Sequence, residues 1–178
     1  MQARDFEIYL IKTMSTEQAL IDRALKTLQV SASDAERIRQ EVQDATQLAP
    51  GQIQSLIEIL GEDASVQERE GQDAIVVRCD FDTWPGLTFQ VDANNLGLWT
   101  EARFLRSSEI APPRPGDPVE LKPWMFTKDE IATWFGPLEE GEVWLPYEEY
   151  GLRGGLASKE SAYDVVFSWG LLQRVVHR

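Results

Sequence analysis

Residues 91–103 read VDANNLGLWTEAR, and two structures compete for them. Asp92 stands nine residues before Glu101, with Arg103 two further on, so two carboxylates and a cation are spaced to converge on a divalent metal. The same letters also spell a β-hairpin. LTFQV (87–91) precedes and GLWTEARFL (97–105) closes the stretch as apolar, strand-forming runs, and DANNLG between them supplies residues that tolerate positive φ. On the hairpin reading, Glu101 and Arg103 lie two apart on one strand face as a solvated pair. The hairpin needs only local chemistry, and it predicts an antiparallel sheet in this half of the chain.

Strands extend upstream. In DAIVVRCDF (73–81), Ile75, Val77, Cys79 and Phe81 alternate with Val76, Arg78, Asp80 and Asp82, the period of a strand. WPG (84–86) turns the chain into LTFQV. Downstream, five of the nine prolines fall in residues 112–123, a crossing loop rather than an element. FTKDEIATWFG (126–136) predicts a short helix with Thr127 as N-cap and Glu130 completing a capping box. In the tail, Tyr163, Val165, Phe167 and Trp169 alternate as a strand while Tyr163, Val166, Phe167 and Leu171 also fit a helix; the β-branched and aromatic content tips the balance to strand.

The N-terminal part is helical in pattern. FEIYLIK (6–12) alternates well enough for a short strand, and a first helix turn is the alternative. Three helices follow: STEQALIDRALKTL with a Ser15/Gln18 box, SDAERIRQEVQDA with a Ser33/Glu36 box, and APGQIQSLIEILG starting at Pro50 and stopped by Gly61. The polar stretch EDASVQEREGQD (62–73) reads as a connector. Fifteen of the seventeen aromatic residues, including all six Trp, lie after residue 80. The expected fold is α+β: a three-helix unit over residues 1–61, a connector over 62–73, and a mostly antiparallel, Trp-rich sheet with one short helix over 74–178. The two halves could pack as one domain.

Charge narrows the function. Thirty Asp and Glu against seventeen Lys and Arg give −13 and a pI near 4.5. Such a chain repels phosphate backbones and anionic membranes and associates quickly with basic partners. A three-helix array invites comparison with a helix-turn-helix reader, but residues 1–61 hold six basic and nine acidic side chains and no basic face. One cysteine precludes an intramolecular disulfide, residues 1–15 lack the pattern of a secretory leader, and no apolar run approaches a membrane span, which together predict a cytoplasmic setting.

Catalytic patterns are sparse. Asp92 with Glu101-Ala102-Arg103 resembles the Asp and Glu-x-Lys arrangement of restriction-endonuclease-like nucleases, over thirteen residues. That resemblance implies a phosphodiesterase or nuclease with Asp92 and Glu101 holding Mg²⁺ or Mn²⁺ and Arg103 as electrostatic stabiliser. Arginine in place of lysine cannot share a proton, and the acidic surface opposes a polyanionic substrate. A calcium loop on the same residues lacks its bidentate glutamate, since Arg103 stands at the twelfth position. The single histidine, His177, is penultimate, Cys79 falls on the apolar side of its strand, and GLRGGLASK (151–159) lacks the end of a phosphate-binding loop.

The most informative segment is DEIATWFGPLEEGEVWLPYEEYGL (129–152), with seven carboxylates, no Lys or Arg, and Trp134, Phe135, Trp144, Tyr147 and Tyr150 interleaved. Aromatic anchors among charges of one sign suit protein recognition. The candidate contact residues are Glu139, Glu140, Trp144, Tyr147, Glu148 and Glu149. The sequence thus predicts a small acidic protein-binding module of inhibitor, immunity or chaperone type, partnered by a basic protein and requiring no cofactor. The metal-dependent nuclease is the alternative.

Overall fold

The computed structural model describes residues 1–46, 52–69, 74–107, 114–153 and 162–178. The chain packs as two units, Met1–Thr13 with Gln18–Arg103, and Met14–Glu17 with Phe104–Arg178. The class is α+β.

Four α-helices come first: α1 (Ala3–Thr13), α2 (Gln18–Thr27), α3 (Ala32–Thr46) and α4 (Gln52–Leu60). The first of these replaces the strand expected over residues 6–12. Phe6, Ile8 and Leu10 alternate, but Phe6, Glu7, Leu10 and Ile11 also share a helical face, and all are buried. Phe6 decides between the two patterns. Its ring meets Tyr9 of the same helix and, from far along the chain, Phe81, Phe89 and Trp99, at centroid distances of 5.6–6.4 Å. Two cap assignments also move. α2 begins at Gln18, too late for a Ser15 cap, and α3 begins at Ala32, where Ser31 Oγ accepts from the Asp34 amide at 3.1 Å in place of Ser33. Gly61 follows α4 at φ +57°, as a helix stop requires. Pro50 lies outside the described residues.

The first sheet is a meander of β1 (Ser65–Arg69), β2 (Ala74–Asp80), β3 (Leu87–Ala93) and β4 (Trp99–Arg106), in that order. β1 occupies part of the stretch read as a connector, with Val66 opposite Val77, and the two units divide within β4 rather than at 62–73. Val77, Cys79, Phe89, Val91 and Ala93 share one buried face. On the other face a polar ladder crosses three strands. Arg78 donates to Gln90 Oε1 at 2.7 Å and to Gln67 Oε1 at 2.9 Å, and Gln90 Nε2 donates to Asp92 Oδ2 at 2.9 Å.

The second unit holds α5 (Lys128–Phe135) and a second antiparallel meander, β5 (Glu139–Trp144), β6 (Tyr147–Arg153), β7 (Ala162–Ser168) and β8 (Leu171–His177). The strands thus form two sheets of four rather than one. The core joins Ile131 of α5 to Leu152, Tyr163, Val165, Phe167 and Leu172, with Leu121 and Phe126. The predicted capping box is present. Thr127 Oγ1 accepts from the Glu130 amide, and Glu130 Oε2 accepts from the Thr127 amide at 2.8 Å. The strand reading of the tail holds, with a two-residue turn of Trp169 and Gly170 at φ +55° and +68° joining β7 to β8. Residues 14–17 complete this unit: the Ser15 amide donates to the buried Ser168 Oγ at 3.1 Å, and Thr16 Oγ1 to the Gln173 carbonyl at 3.3 Å.

Glu130 also receives Arg106, whose Nε lies 2.8 Å from Oε1, both side chains being largely buried. Glu130→Ala removes the cap partner and strands the guanidinium, which is expected to cost about 3 kcal/mol in urea unfolding. Glu130→Gln keeps an acceptor for the Thr127 amide and is expected to lose less. Equal losses would show that the ion pair, not the cap, carries the stability.

Candidate functional site

Strand alternation sorts the acidic–aromatic segment into two faces. Trp144 is opposite Tyr147, and only Leu145 and Pro146 separate them. From there Glu148, Tyr150 and Leu152 turn toward α5, while Tyr147, Glu149 and Arg153 turn away. The inward position corrects one candidate. Glu148 is 6% exposed, ion-paired with Lys128 and accepting from the Tyr150 hydroxyl at 2.8 Å. Burial acts to lower the Lys128 pKa, but the Glu148 bond and charge outweigh it and hold the ammonium above its ordinary range. Burial, then the Glu148 bond, raises Tyr150, so the phenol keeps its proton and is no base. This trio ties α5 to β6 and offers no free charge to a partner.

The outward face is more balanced than the segment's composition implies. Arg153 Nε meets Glu139 Oε1 at 2.8 Å, and Arg178 Nε meets Asp164 Oδ1 at 2.7 Å. Tyr147 donates to Glu149, a bond that raises the phenol pKa, while Arg174 opposes the shift. The arginines come from the end of β6 and from the tail, outside residues 129–152. Glu140 lies opposite Tyr150 on β5, and its side chain is outside the described residues.

Beside the exposed Glu142, an apolar run is also left open. Val143, Trp144 and Leu145 are 44%, 57% and 66% exposed in succession at the end of the β5–β6 hairpin. Trp144 stacks on Tyr147 with centroids 4.4 Å apart and planes 16° from parallel. The ring is therefore held in place while one side stays open. Next to it β5 is bulged between Glu140 and Val143. A Cβ at Gly141 would lie 2.8 Å from the Glu149 carbonyl oxygen, so only glycine lets the strands approach there.

The opening stretch is the hairpin. Asn94 closes it, accepting from the Gly97-flanking amides of Leu96 and Leu98 at 3.0 and 3.1 Å, and Gly97 takes φ +73°. Asp92 is part of the polar ladder, and Glu101 is held by Arg103 on an exposed face. Among the described residues no group of three or more His, Cys, Asp or Glu side chains is placed to hold a metal ion. Nor is any helix among them long and apolar enough to cross a membrane. The glycine-rich stretch beyond Arg153 lies outside the described residues as far as residue 161.

One feature of the first unit has no signature in the sequence. A cavity of about 530 Å³ is lined by Arg4, Glu7, Asp63, Asp80 and Asp82 among others, gathered from four separate segments. Glu7 is buried and accepts from the Thr83 amide at 3.0 Å. Burial, reinforced by Asp63, Asp80 and Glu7, pushes the adjacent Cys79 thiol up to about 12.

Comparison of the chain with protein-family models, curated proteins and solved structures finds no match.

Two outcomes follow from this geometry. The Cys79 thiol in the native chain is expected to react with a disulfide reagent at pH 9 at least tenfold more slowly than in urea-unfolded chain. Because its folded pKa is raised, the thiol's contribution to stability is intact below about pH 9 and is lost towards pH 12. That decline should be absent in Cys79→Ser. Millimolar Mg²⁺ or Mn²⁺ is expected to leave the thermal midpoint where EDTA leaves it. A metal at 100 times its dissociation constant would add about 2.7 kcal/mol, and a matching rise abolished by Asp92→Asn would reinstate the nuclease alternative.

Proposed function

We propose that the protein is a protein-binding module that docks through the end of the β5–β6 hairpin onto a basic partner in the cytoplasm. The observation that carries this reading is the exposed run Val143, Trp144 and Leu145, with Trp144 fixed against Tyr147. A large, pre-positioned aromatic beside aliphatic side chains is the kind of group that dominates binding energy at protein interfaces. Charge supports the choice of partner. The first unit carries seventeen acidic and nine basic residues and the second thirteen and eight, so both attract a cationic surface. Long-range attraction comes from the whole chain, and the hairpin end supplies the short-range contact. Glu139 and Glu149 serve as its rim, already engaged by Arg153 and Tyr147. The cytoplasmic setting draws support from the single, buried cysteine.

The test begins with the immobilised protein and an extract of its source cells. A stoichiometric, basic partner should be retained, and Trp144→Ser should weaken its binding at least tenfold, about 1.4 kcal/mol or more. The thermal midpoint should not move, because the side chain is exposed. Retention of the same partner at undiminished affinity would remove Trp144 from the interface.

A further inference from the structure

The hairpin end adjoins a second feature. β5 is the outermost strand of its sheet, and among the described residues nothing pairs with its outer edge. An unpaired edge presents a row of N–H and C=O groups that another extended chain can complete. Its six residues, EEGEVW, contain three glutamates and no basic side chain. Those charges select what can pair there. A second copy of β5 would set glutamate against glutamate, which disfavours pairing between identical chains. A strand bearing Lys or Arg would meet Glu142, which is exposed, and Glu139, whose exposed ion pair with Arg153 is weak. The bulge interrupts the ladder between Glu140 and Val143, so pairing falls beside Glu139–Glu140 and beside Val143–Trp144. At the latter end Trp144 and Leu145 supply apolar contact.

Resting on the protein-binding reading, we infer that the outer edge of β5 accepts an extended, basic segment of the partner as a fifth strand. Basic side chains run along Glu139 and Glu142, and an apolar residue lies against Trp144. This specifies main-chain recognition with charge selection, rather than capture of a basic surface by charge alone.

The probe is a synthetic octapeptide of alternating Lys and Val, added to the full chain at 150 mM salt. A second peptide has the same sequence with its consecutive central amides N-methylated, which blocks both hydrogen-bonding edges and keeps every charge. The expected result is at least tenfold slower amide exchange in residues 139–144 with the first peptide. Affinity should fall at least tenfold with the methylated peptide and several-fold with the Glu139→Gln/Glu142→Gln variant. Equal affinity for the two peptides, unchanged exchange in β5, or no binding of either overturns strand addition. Each of those outcomes leaves the hairpin end standing as a contact, since that reading fails only if Trp144→Ser keeps the cellular partner at full affinity.

Discussion

The turn at Trp169 and Gly170 puts both residues in the left-handed region, at φ +55° and +68°. For a residue with a side chain that conformation costs roughly 1–2 kcal/mol, and here it is a buried tryptophan. The backbone of those two residues anchors three other elements. The Trp169 amide donates to the Pro146 carbonyl at 3.0 Å, the Trp169 carbonyl accepts from Phe104 at 2.9 Å, and the Gly170 carbonyl accepts from Lys128 at 2.9 Å. The β5–β6 loop, the end of β4 and the start of α5 are thus referenced to one pair of peptide groups. A two-residue connection between strands of right-handed twist favours this turn type. The position of the exposed apolar hairpin end follows from it, because Pro146 lies in its turn.

From that anchor the charges of the second unit make sense as a division of labour. Glu130 and Glu148 are consumed internally, one holding Arg106 and the first turn of α5, the other holding Lys128 and Tyr150. Glu139, Glu149 and Asp164 are met by side chains on the solvent face. What is left without an internal partner is the apolar run at the hairpin end and the edge of β5, the two features on which the proposed docking rests.

Several elements were legible in the sequence because their signals are local. The 91–103 hairpin is written in its turn residues and the α5 cap in Thr127 and Glu130, while the alternation from Tyr163 to Phe167 marks β7 but not the turn that makes β8 a second strand. The failures share a physical cause. Seven residues are too few to separate a strand from a helix at positions 6–12, and Phe6 is settled by rings from Phe81, Phe89 and Trp99. Ser31 and Ser33 each have an acidic residue three positions on, so the true cap depends on where the helix starts. For the candidate site, Trp144 and Tyr147 could be picked out by residue type. The burial of Glu148 and the arginine neighbours of the outer face could not, because Arg174 and Arg178 are more than twenty residues away in sequence from Glu149. The acidic cavity was invisible for the same reason.

The second unit is discontinuous in the chain, and this has a temporal consequence. Ser15 and Thr16 bond to residues 153 and 157 positions later. During synthesis the loop between α1 and α2 leaves the ribosome 153 and 157 residues ahead of its partners in β7 and β8. Contacts of such separation form late and slowly. The helices of the first unit can assemble while the chain grows, but that loop must wait, with its backbone groups bound to water, until the β7–β8 hairpin is released.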